Sequence, residues 1–193
     1  MTKRHFQKQK DNALEDICRI GWCYESGDGV GKDEVQAVKW YLMAAEQGFP
    51  KAMFELCKCY TLGIGVRRNS ATASKWLHNA AERGYTRAMC MLGKNYQNEF
   101  RAEHNPVEAV KWFRKAAEAG DAWGMFHLGE CYETGNGVKK DFDAAYLWFC
   151  KAVTTAPENE RLYQFVQNQI FDPNLKECRE QILGESVNGG KLH

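Results

Sequence analysis

The sequence predicts an all-α protein built from four helix–loop–helix units of 36 residues each. Two aromatic columns are the main observation, because each recurs every 36 residues without slippage. The tyrosine column comprises Tyr24, Tyr60, Tyr96 and Tyr132, and the tryptophan column comprises Trp40, Trp76, Trp112 and Trp148. The helical spacing of apolar residues within each unit is the second observation. A fixed period of this length is typical of arrays in which short helical units stack on one another.

Two helices are predicted in every unit, and the second unit shows the pattern clearly. Leu56 and Tyr60 lie four residues apart, so they share one face of a first helix. Ala73, Trp76 and Leu77 follow the spacing i, i+3 and i+4 on a second helix. Because the tryptophans keep helical register with small alanines that let helices approach closely, we expect the tryptophan column in the core.

The loop between the two helices carries glycines and then a residue that can cap the second helix. The segments "SGDGVGKD", "LGIGVRRN" and "TGNGVKKD" place two glycines one residue apart, as expected where φ becomes positive after a helix ends. Asp or Asn then precedes each second helix, and both are favourable N-caps. The predicted N-caps are Asp33, Asn69, Asn105 and Asp141.

The repeat columns also predict the organisation of the chain. We expect a polar N-terminal arm at residues 1–13, four units at 14–49, 50–85, 86–121 and 122–156, C-terminal capping helices at 157–183 and a flexible tail at 184–193. One repeat column has a small residue wherever a unit meets the preceding unit. The equivalent positions at the two ends of the array are charged, namely Asp16 and Glu160. Charged residues are poorly suited to burial against a neighbour, so four units are expected.

Composition and charge argue against several classes of function. With 44% hydrophobic residues and a net charge of +1, the 193-residue chain has no broad attraction for polyanions, so no nucleic acid partner is expected. No apolar run approaches 18 residues, so we expect no membrane insertion. The basic opening segment lacks the apolar stretch of a signal peptide. We therefore expect a cytoplasmic monomer, with secretion left open if a signal peptide has been removed.

Eight cysteines and five histidines suggest no clear chemical site. Cys23, Cys59 and Cys131 share one repeat column, so neighbouring thiols should lie about 10 Å apart, beyond disulfide range, and free thiols are expected. His127 and Cys131 could share a metal at i and i+4, but two ligands make a weak site. No nucleophile, base and orienting acid can be assembled. We expect no metal, no cofactor and no enzymatic activity, with a thiol- or metal-dependent or enzymatic protein on the same scaffold as the alternative.

The repeated motif resembles the Sel1-like repeat, a relative of the tetratricopeptide repeat. The fourth unit reads "LGECYETGNGVKKDFDAAYLWFCKA", and the first unit closes with "WYLMAAEQG". The resemblance covers residues 14–156 and departs from the pattern at Cys57, where the other units have glycine, and in the third loop. It implies an α/α superhelical solenoid, here with a C-terminal helical cap. The first helices of such a solenoid line a concave surface, in proteins that usually act as adaptors for other proteins.

The concave face of the first helices is therefore the predicted binding site for a protein or peptide segment. Residues opposite the buried stripe differ between units while the scaffold repeats, as recognition of a varied partner requires. The predicted partner-binding residues are Arg19, Trp22, Glu55, Lys58, Met91, Lys94, Trp123, His127 and Glu130. An exposed Trp22 would be a typical interface anchor. A solvated face without a ligand, as in a purely structural spacer, is the remaining alternative.

The third loop offers a competing location for the site. Its sequence "NEFRAEHN" contains no glycine, so it cannot fold like its three counterparts. Glu99, Phe100 and Arg101 could project an aromatic tip for docking. Alternatively, Phe100 packs against the neighbouring unit and the loop has no role in binding.

Overall fold

The computed structural model describes residues 3–99 and 104–170. These two ranges form nine α-helices and no β-strand, which confirms the predicted all-α class. The helices are α1 (Lys3–Ser26), α2 (Glu34–Glu46), α3 (Pro50–Leu62), α4 (Ser70–Glu82), α5 (Thr86–Gln97), α6 (Pro106–Glu118), α7 (Ala122–Thr134), α8 (Phe142–Thr155) and α9 (Glu160–Ile170). Each of the four predicted units thus supplies a first helix (α1, α3, α5, α7) and a second helix (α2, α4, α6, α8).

The chain divides into two compact units, Met1–Ala88 and Met89–His193, and from here on "first unit" and "second unit" mean these two, whereas each 36-residue stretch is called a repeat. In the first unit, α1 packs on α2, α2 on α3 and α3 on α4. In the second unit, α6 packs on α7, α7 on α8 and α8 on α9. Helices that are adjacent in sequence are therefore adjacent in space within each unit, as in a stacked repeat array.

The predicted N-caps are confirmed for all four second helices. Asn69, for example, precedes α4 in an extended conformation, and its Oδ1 accepts a hydrogen bond of 3.0 Å from the N–H of Thr72. The side chains of Asp33, Asn105 and Asp141 likewise each accept a hydrogen bond from the backbone N–H three residues later. The N–H of each cap also donates to the carbonyl of the column tyrosine in the preceding helix, at 2.8–2.9 Å. This second bond closes every loop between paired helices, including the third loop that lacks glycine.

In three of the four repeats, a glycine of the first helix packs against a ring of the second helix. A Cβ placed on Gly129 would lie 2.6 Å from Cε1 of Phe149, a ring with no exposed surface. The same pairing of glycine with a buried ring occurs for Gly21 with Tyr41 and for Gly93 with Phe113. In the second repeat these two columns hold Cys57 and Leu77, both buried. A larger residue on the first helix thus coincides with a smaller residue on the second, which preserves the packed volume.

The prediction that the tryptophan column lies in the core is correct only for Trp112, which is 7% exposed. Trp40, Trp76 and Trp148 are half-buried. The fully buried column is the next one along the second helix, which holds Tyr41, Leu77, Phe113 and Phe149. Two of the tryptophan rings also contact a cation, since Nζ of Lys115 lies 4.2 Å from the ring centroid of Trp112 and Nζ of Lys151 lies 4.4 Å from that of Trp148.

The two ends of the described chain are helical. α1 begins at Lys3, so helix extends back through the polar segment that precedes the first repeat. α9 follows the fourth repeat and buries Leu162 and Val166 in the core of the second unit. The rest of the predicted cap, residues 171–183, and the predicted tail at 184–193 lie outside the described residues. In the described ranges, no helix combines the length and the apolar character needed to cross a bilayer.

Candidate protein-binding site

Four of the predicted binding residues lie in the first unit, and their charges are engaged locally. Arg19 is exposed and its Nη2 lies 2.9 Å from Oδ1 of Asp16 on the same helix. Glu55 and Lys58 form an ion pair with each other one turn apart on α3. Trp22 is 52% exposed on α1, as predicted for an anchor. Of these four predicted residues, Trp22 is therefore an exposed aromatic side chain, and the three charged ones each have an ion-pair partner.

The second unit contains a cleft of about 390 Å³ between side chains of α5, α7 and α9. We call it the aromatic cleft, and its lining residues are Lys94, Trp123, Phe126, His127, Glu130, Arg161 and Phe165. Four of these residues were predicted from the sequence: Lys94, Trp123, His127 and Glu130. Met91, also predicted, is 39% exposed on α5 but does not line the cleft.

Aromatic rings form the base and one wall of the aromatic cleft. Phe126 is 3% exposed, and its ring centroid lies 5.6 Å from that of Phe149 in the core. Trp123 packs edge-on against Phe126 at 5.8 Å and against Phe165 at 6.0 Å. Phe165 is 43% exposed, so part of this ring remains available to a ligand. The three rings form an apolar corner, since edge-to-face packing fixes each ring at an angle to the next.

His127 takes a different place from the one predicted. The sequence indicates a variable, solvent-facing residue, but the side chain is only 7% exposed and packs 5.1 Å from the ring of Phe113. Its Nδ1 lies 2.7 Å from Oε2 of Glu130 one turn later. The expected exposure of His127 is therefore not observed, because flanking aromatic rings enclose the imidazole, while its role in partner binding stays a prediction. Its hydrogen bond instead positions the carboxylate of Glu130 at the cleft.

Two cations lie at the edge of the aromatic cleft without a carboxylate partner. Lys94 and Arg161 are exposed, and neither forms an ion pair with any residue that the structure describes. The guanidinium carbon of Arg161 lies 5.9 Å from the centroid of Phe165, a distance that permits a weak cation–π contact. The single carboxylate of the cleft, Glu130, is already hydrogen-bonded to His127. The cleft therefore presents two positive charges that have no ion-pair partner and one carboxylate that is hydrogen-bonded to His127, beside an aromatic base.

Sequence reasoning missed three lining residues, namely Phe126, Arg161 and Phe165. Phe126 belongs to the buried side of α7, with only 3% of its surface exposed, although it lines the cleft. Arg161 and Phe165 are four residues apart on α9, beyond the fourth repeat, so no repeat column points to them. The signal that could have found them is their helical spacing beside the buried Leu162 and Val166.

The cysteines of the described chain are free thiols, and most are buried. Burial, with a smaller effect of Glu25, raises the pKa of Cys59 to about 12, and burial with nearby Glu130 does the same for Cys131. Thiols with such a pKa are poor nucleophiles at neutral pH. Within residues 3–99 and 104–170, no group of three His, Cys, Asp or Glu side chains could hold a metal. Neither result favours the thiol- or metal-dependent alternative.

Of the competing site in the third loop, only Glu99 is described, and it is exposed. Phe100 and Arg101 lie outside the described residues. Glu99 occupies the column where Gly63 and Gly135 adopt φ values of 82° and 77° after their helices. No described residue other than glycine has positive φ, so the chain leaves α5 in a different conformation from its counterparts, as predicted.

Comparison with known proteins connects this geometry to a family. The profile described as Sel1 repeat matches residues 15–49, 50–85, 86–121 and 124–154, more than half of the chain. The chain is also similar to a solved Sel1 repeat protein from Oxalobacter formigenes, with 31% identity and a TM-score of 0.72 over 81% of this chain and 44% of that one. A comparison with curated proteins gave no match.

A second solved structure is similar as well, a protective antigen present in uropathogenic Escherichia coli strains that displays an SLR fold. Its identity is 27% and its TM-score 0.69, covering 91% of this chain and 38% of that one. The chain thus spans less than half the length of either solved relative. The four matched segments and the helix pairs that they form lead to one conclusion: the chain belongs to the Sel1 repeat family and is an all-α repeat solenoid.

Proposed function

We propose that this chain is a protein-interaction scaffold, or adaptor, that binds a segment of another protein in the aromatic cleft of its second unit. Sel1 repeat proteins generally act as protein-interaction scaffolds, which supports the general class. The observation that carries the proposal is the exposed aromatic surface of Phe165 beside two cations without partners. Aromatic residues, phenylalanine included, and arginine are enriched at protein interfaces relative to the rest of the protein surface.

The size of the aromatic cleft supports a segment as its occupant. Its volume of about 390 Å³ lies near the lower end of the range for ligand pockets. One or two side chains of a partner would fill this space. Burying the exposed face of Phe165 would contribute about 1 kcal/mol, roughly half of the value for a fully buried phenylalanine. Neighbouring residues of the partner would then contact the rim.

The first unit provides the main competing location on the first helices. Trp22 is more exposed there than Phe165 is in the second unit, but the charged residues predicted with it, Arg19, Glu55 and Lys58, are already paired. Polar recognition at that position would need these ion pairs to open. The predicted first-unit residues therefore remain a separate proposal, for which Trp22→Ala is the test.

Capture of partners by matched variants tests the proposed site. Phe165→Ala removes the exposed ring of the aromatic cleft, while Tyr163→Ala removes a ring of 44% exposure from the same helix that does not line it. We expect proteins captured by the wild type to be depleted at least fivefold with Phe165→Ala and retained with Tyr163→Ala. Circular dichroism should show the same helix content in both variants. Equal capture by all three proteins would contradict the proposal, and loss with Trp22→Ala alone would place binding in the first unit.

A further inference from the structure

We propose that the aromatic cleft selects an acidic segment, in which a large aromatic side chain is flanked by aspartate or glutamate residues. The inference rests on the proposed function and specifies the chemistry of the partner at that same site. It follows from the rim charges and the ring geometry of α5, α7 and α9 in the second unit. The overall charge of the chain does not contribute to it, since the formal net charge is only +1.

The charges that line the cleft determine whether it favours an acidic or a basic partner. Lys94 and Arg161 have no carboxylate partner among the residues described, so a bound acidic side chain would replace only water. The carboxylate of Glu130 is not equally available to a basic partner, because it accepts a hydrogen bond of 2.7 Å from His127. A basic segment would be repelled by Lys94 and Arg161, and it would share the carboxylate of Glu130 with His127. An acidic segment is therefore favoured by charge complementarity.

Arg161 is suited to a carboxylate in particular. Its guanidinium carbon lies 5.9 Å from the centroid of the Phe165 ring, and a contact at this distance leaves the planar N–H donors free for a ligand. A guanidinium edge matches the two oxygens of a carboxylate and can bind them together. Lys94 on α5 offers a second, more flexible donor. Two acidic residues on either side of one apolar residue could therefore both be bound.

The ring geometry favours an aromatic residue between these acids. The rings of Trp123 and Phe165 lie at 69° to each other with centroids 6.0 Å apart, and both rings pack against the buried Phe126. A ligand ring entering this corner would pack edge-to-face on one wall and face-on to the other, an arrangement that aromatic rings prefer. A short aliphatic side chain would leave part of the corner unfilled. The preferred segment is therefore acidic–aromatic–acidic.

Peptide binding to the full chain tests the inference directly. A dye-labelled, end-capped peptide with the sequence Gly-Asp-Glu-Phe-Glu-Asp-Gly would be titrated and followed by fluorescence anisotropy. Two matched peptides replace either all acids with lysine or phenylalanine with alanine. We expect the first peptide to bind at least about fivefold tighter than either control, and less tightly at raised salt. Absence of detectable binding, or equal binding of the lysine peptide, would overturn the inference.

Variants of the protein then locate the interaction. Lys94→Glu and Arg161→Glu should each weaken binding of the acidic peptide about fivefold or more, whereas Lys139→Glu changes the net charge equally at an exposed loop outside the aromatic cleft and should have little effect. An effect of equal size in all three would show that only net charge matters and would overturn the inference. Phe165→Ala should abolish binding, with Tyr163→Ala as control.

The outcomes separate this inference from the proposed function. If protein capture depends on Phe165 but the acidic peptide binds no more tightly than its controls, the proposed binding site is supported and the acidic preference is wrong. If protein capture is also independent of Phe165, both the proposed function and the acidic preference are wrong. Tighter binding of a single-stranded oligonucleotide of equal charge, lost in Arg161→Glu, would show that the aromatic cleft recognises nucleic acid and would overturn the acidic-peptide assignment.

Discussion

Replacing Gly129 with alanine should destabilise the second unit, because the new methyl group has no room. Its Cβ would lie 2.6 Å from Cε1 and 2.7 Å from Cδ1 of Phe149, whereas ordinary carbon–carbon contacts are about 3.5–4.0 Å. Phe149 has no exposed surface and packs against Phe126 at 5.6 Å, so its ring cannot swing into solvent. Accommodating the methyl group therefore requires α7 and α8 to separate by about 1 Å or the ring to leave its preferred rotamer.

Two opposing effects determine the magnitude. Alanine is favoured over glycine in a helix interior by about 1 kcal/mol, which stabilises the variant. Overpacking of a tight core costs about 1–3 kcal/mol, and contacts this short belong at the upper end of that range. We therefore expect Gly129→Ala to lower the free energy of unfolding by about 1–2 kcal/mol. A gain in stability would occur only if the ring moved without resistance.

A double-mutant cycle isolates the contact between the two positions. The second repeat already combines a larger residue, Cys57, with a smaller one, Leu77, at these two columns. Phe149→Leu should destabilise by about 1–3 kcal/mol through a cavity, but Gly129→Ala combined with Phe149→Leu should partly fill that cavity. The combined loss should be smaller than the sum of the single losses by about 1–3 kcal/mol.

Urea denaturation followed by circular dichroism at 222 nm measures the four proteins of the cycle. Gly31→Ala serves as the control, since a Cβ there would have nothing within 4 Å and its φ is not positive. We expect this control to remain within about 0.5 kcal/mol of the wild type. The reasoning would be refuted if the losses in the double variant were additive within about 0.5 kcal/mol, because the two side chains would then not compete for space.

Three further predictions concern the tryptophans, the thiols and a helix cap. Trp112→Ala should cost about 3–5 kcal/mol in urea unfolding, and Trp76→Ala distinctly less, because Trp112 is 7% exposed whereas Trp76 is half-buried. Mass spectrometry after denaturation and alkylation without reductant should find eight free thiols, and in the native protein Cys59 and Cys131 should alkylate far more slowly than in urea. Burial raises the pKa of both thiols to about 12 from an ordinary value of 9.0, so the unfolded chain ionises first and stability should fall as the pH rises above 9. Stability that is constant from pH 8 to 10.5 would contradict this assignment. Asn105→Ala should cost about 1 kcal/mol by removing the cap of α6, and Asn105→Asp should restore it.

Much of the fold was predictable because its signals are local and repeated. The N-cap Asn105 could be identified from residue type and position alone, since an N-cap bonds to a backbone N–H only three residues away. The helix pairs followed from apolar spacing of the same short range. The degree of burial was not predictable, because Trp76 and Leu77 both fit a helix that faces the core. Only the crossing of α3 and α4 determines which of the two adjacent residues reaches the interface.

The candidate site was predictable in part. Lys94, Trp123 and Glu130 were predicted as variable residues of first helices, and the structure brings them to one cleft. The ion pairing of Glu55 with Lys58 follows from side-chain rotamers, which the repeat pattern does not specify. Phe165 lies on a helix outside the repeats, so no column could relate it to the other residues.

The amino-acid sequence by itself determined the repeat length, the starts of the second helices and the helices on which the variable residues lie, because each depends on interactions within a few residues along the chain. Tertiary structure alone decided which of these residues are accessible. Gly65 illustrates the difference: a Cβ there would lie 2.9 Å from the backbone nitrogen of Val35 in the preceding repeat, whereas Gly29 has nothing within 4 Å. The two glycines occupy the same column and both have positive φ, yet only one faces a neighbouring repeat. His127 likewise became buried through contacts with Phe113 and other rings, since burial depends on residues that are distant in sequence and meet only when the helices pack.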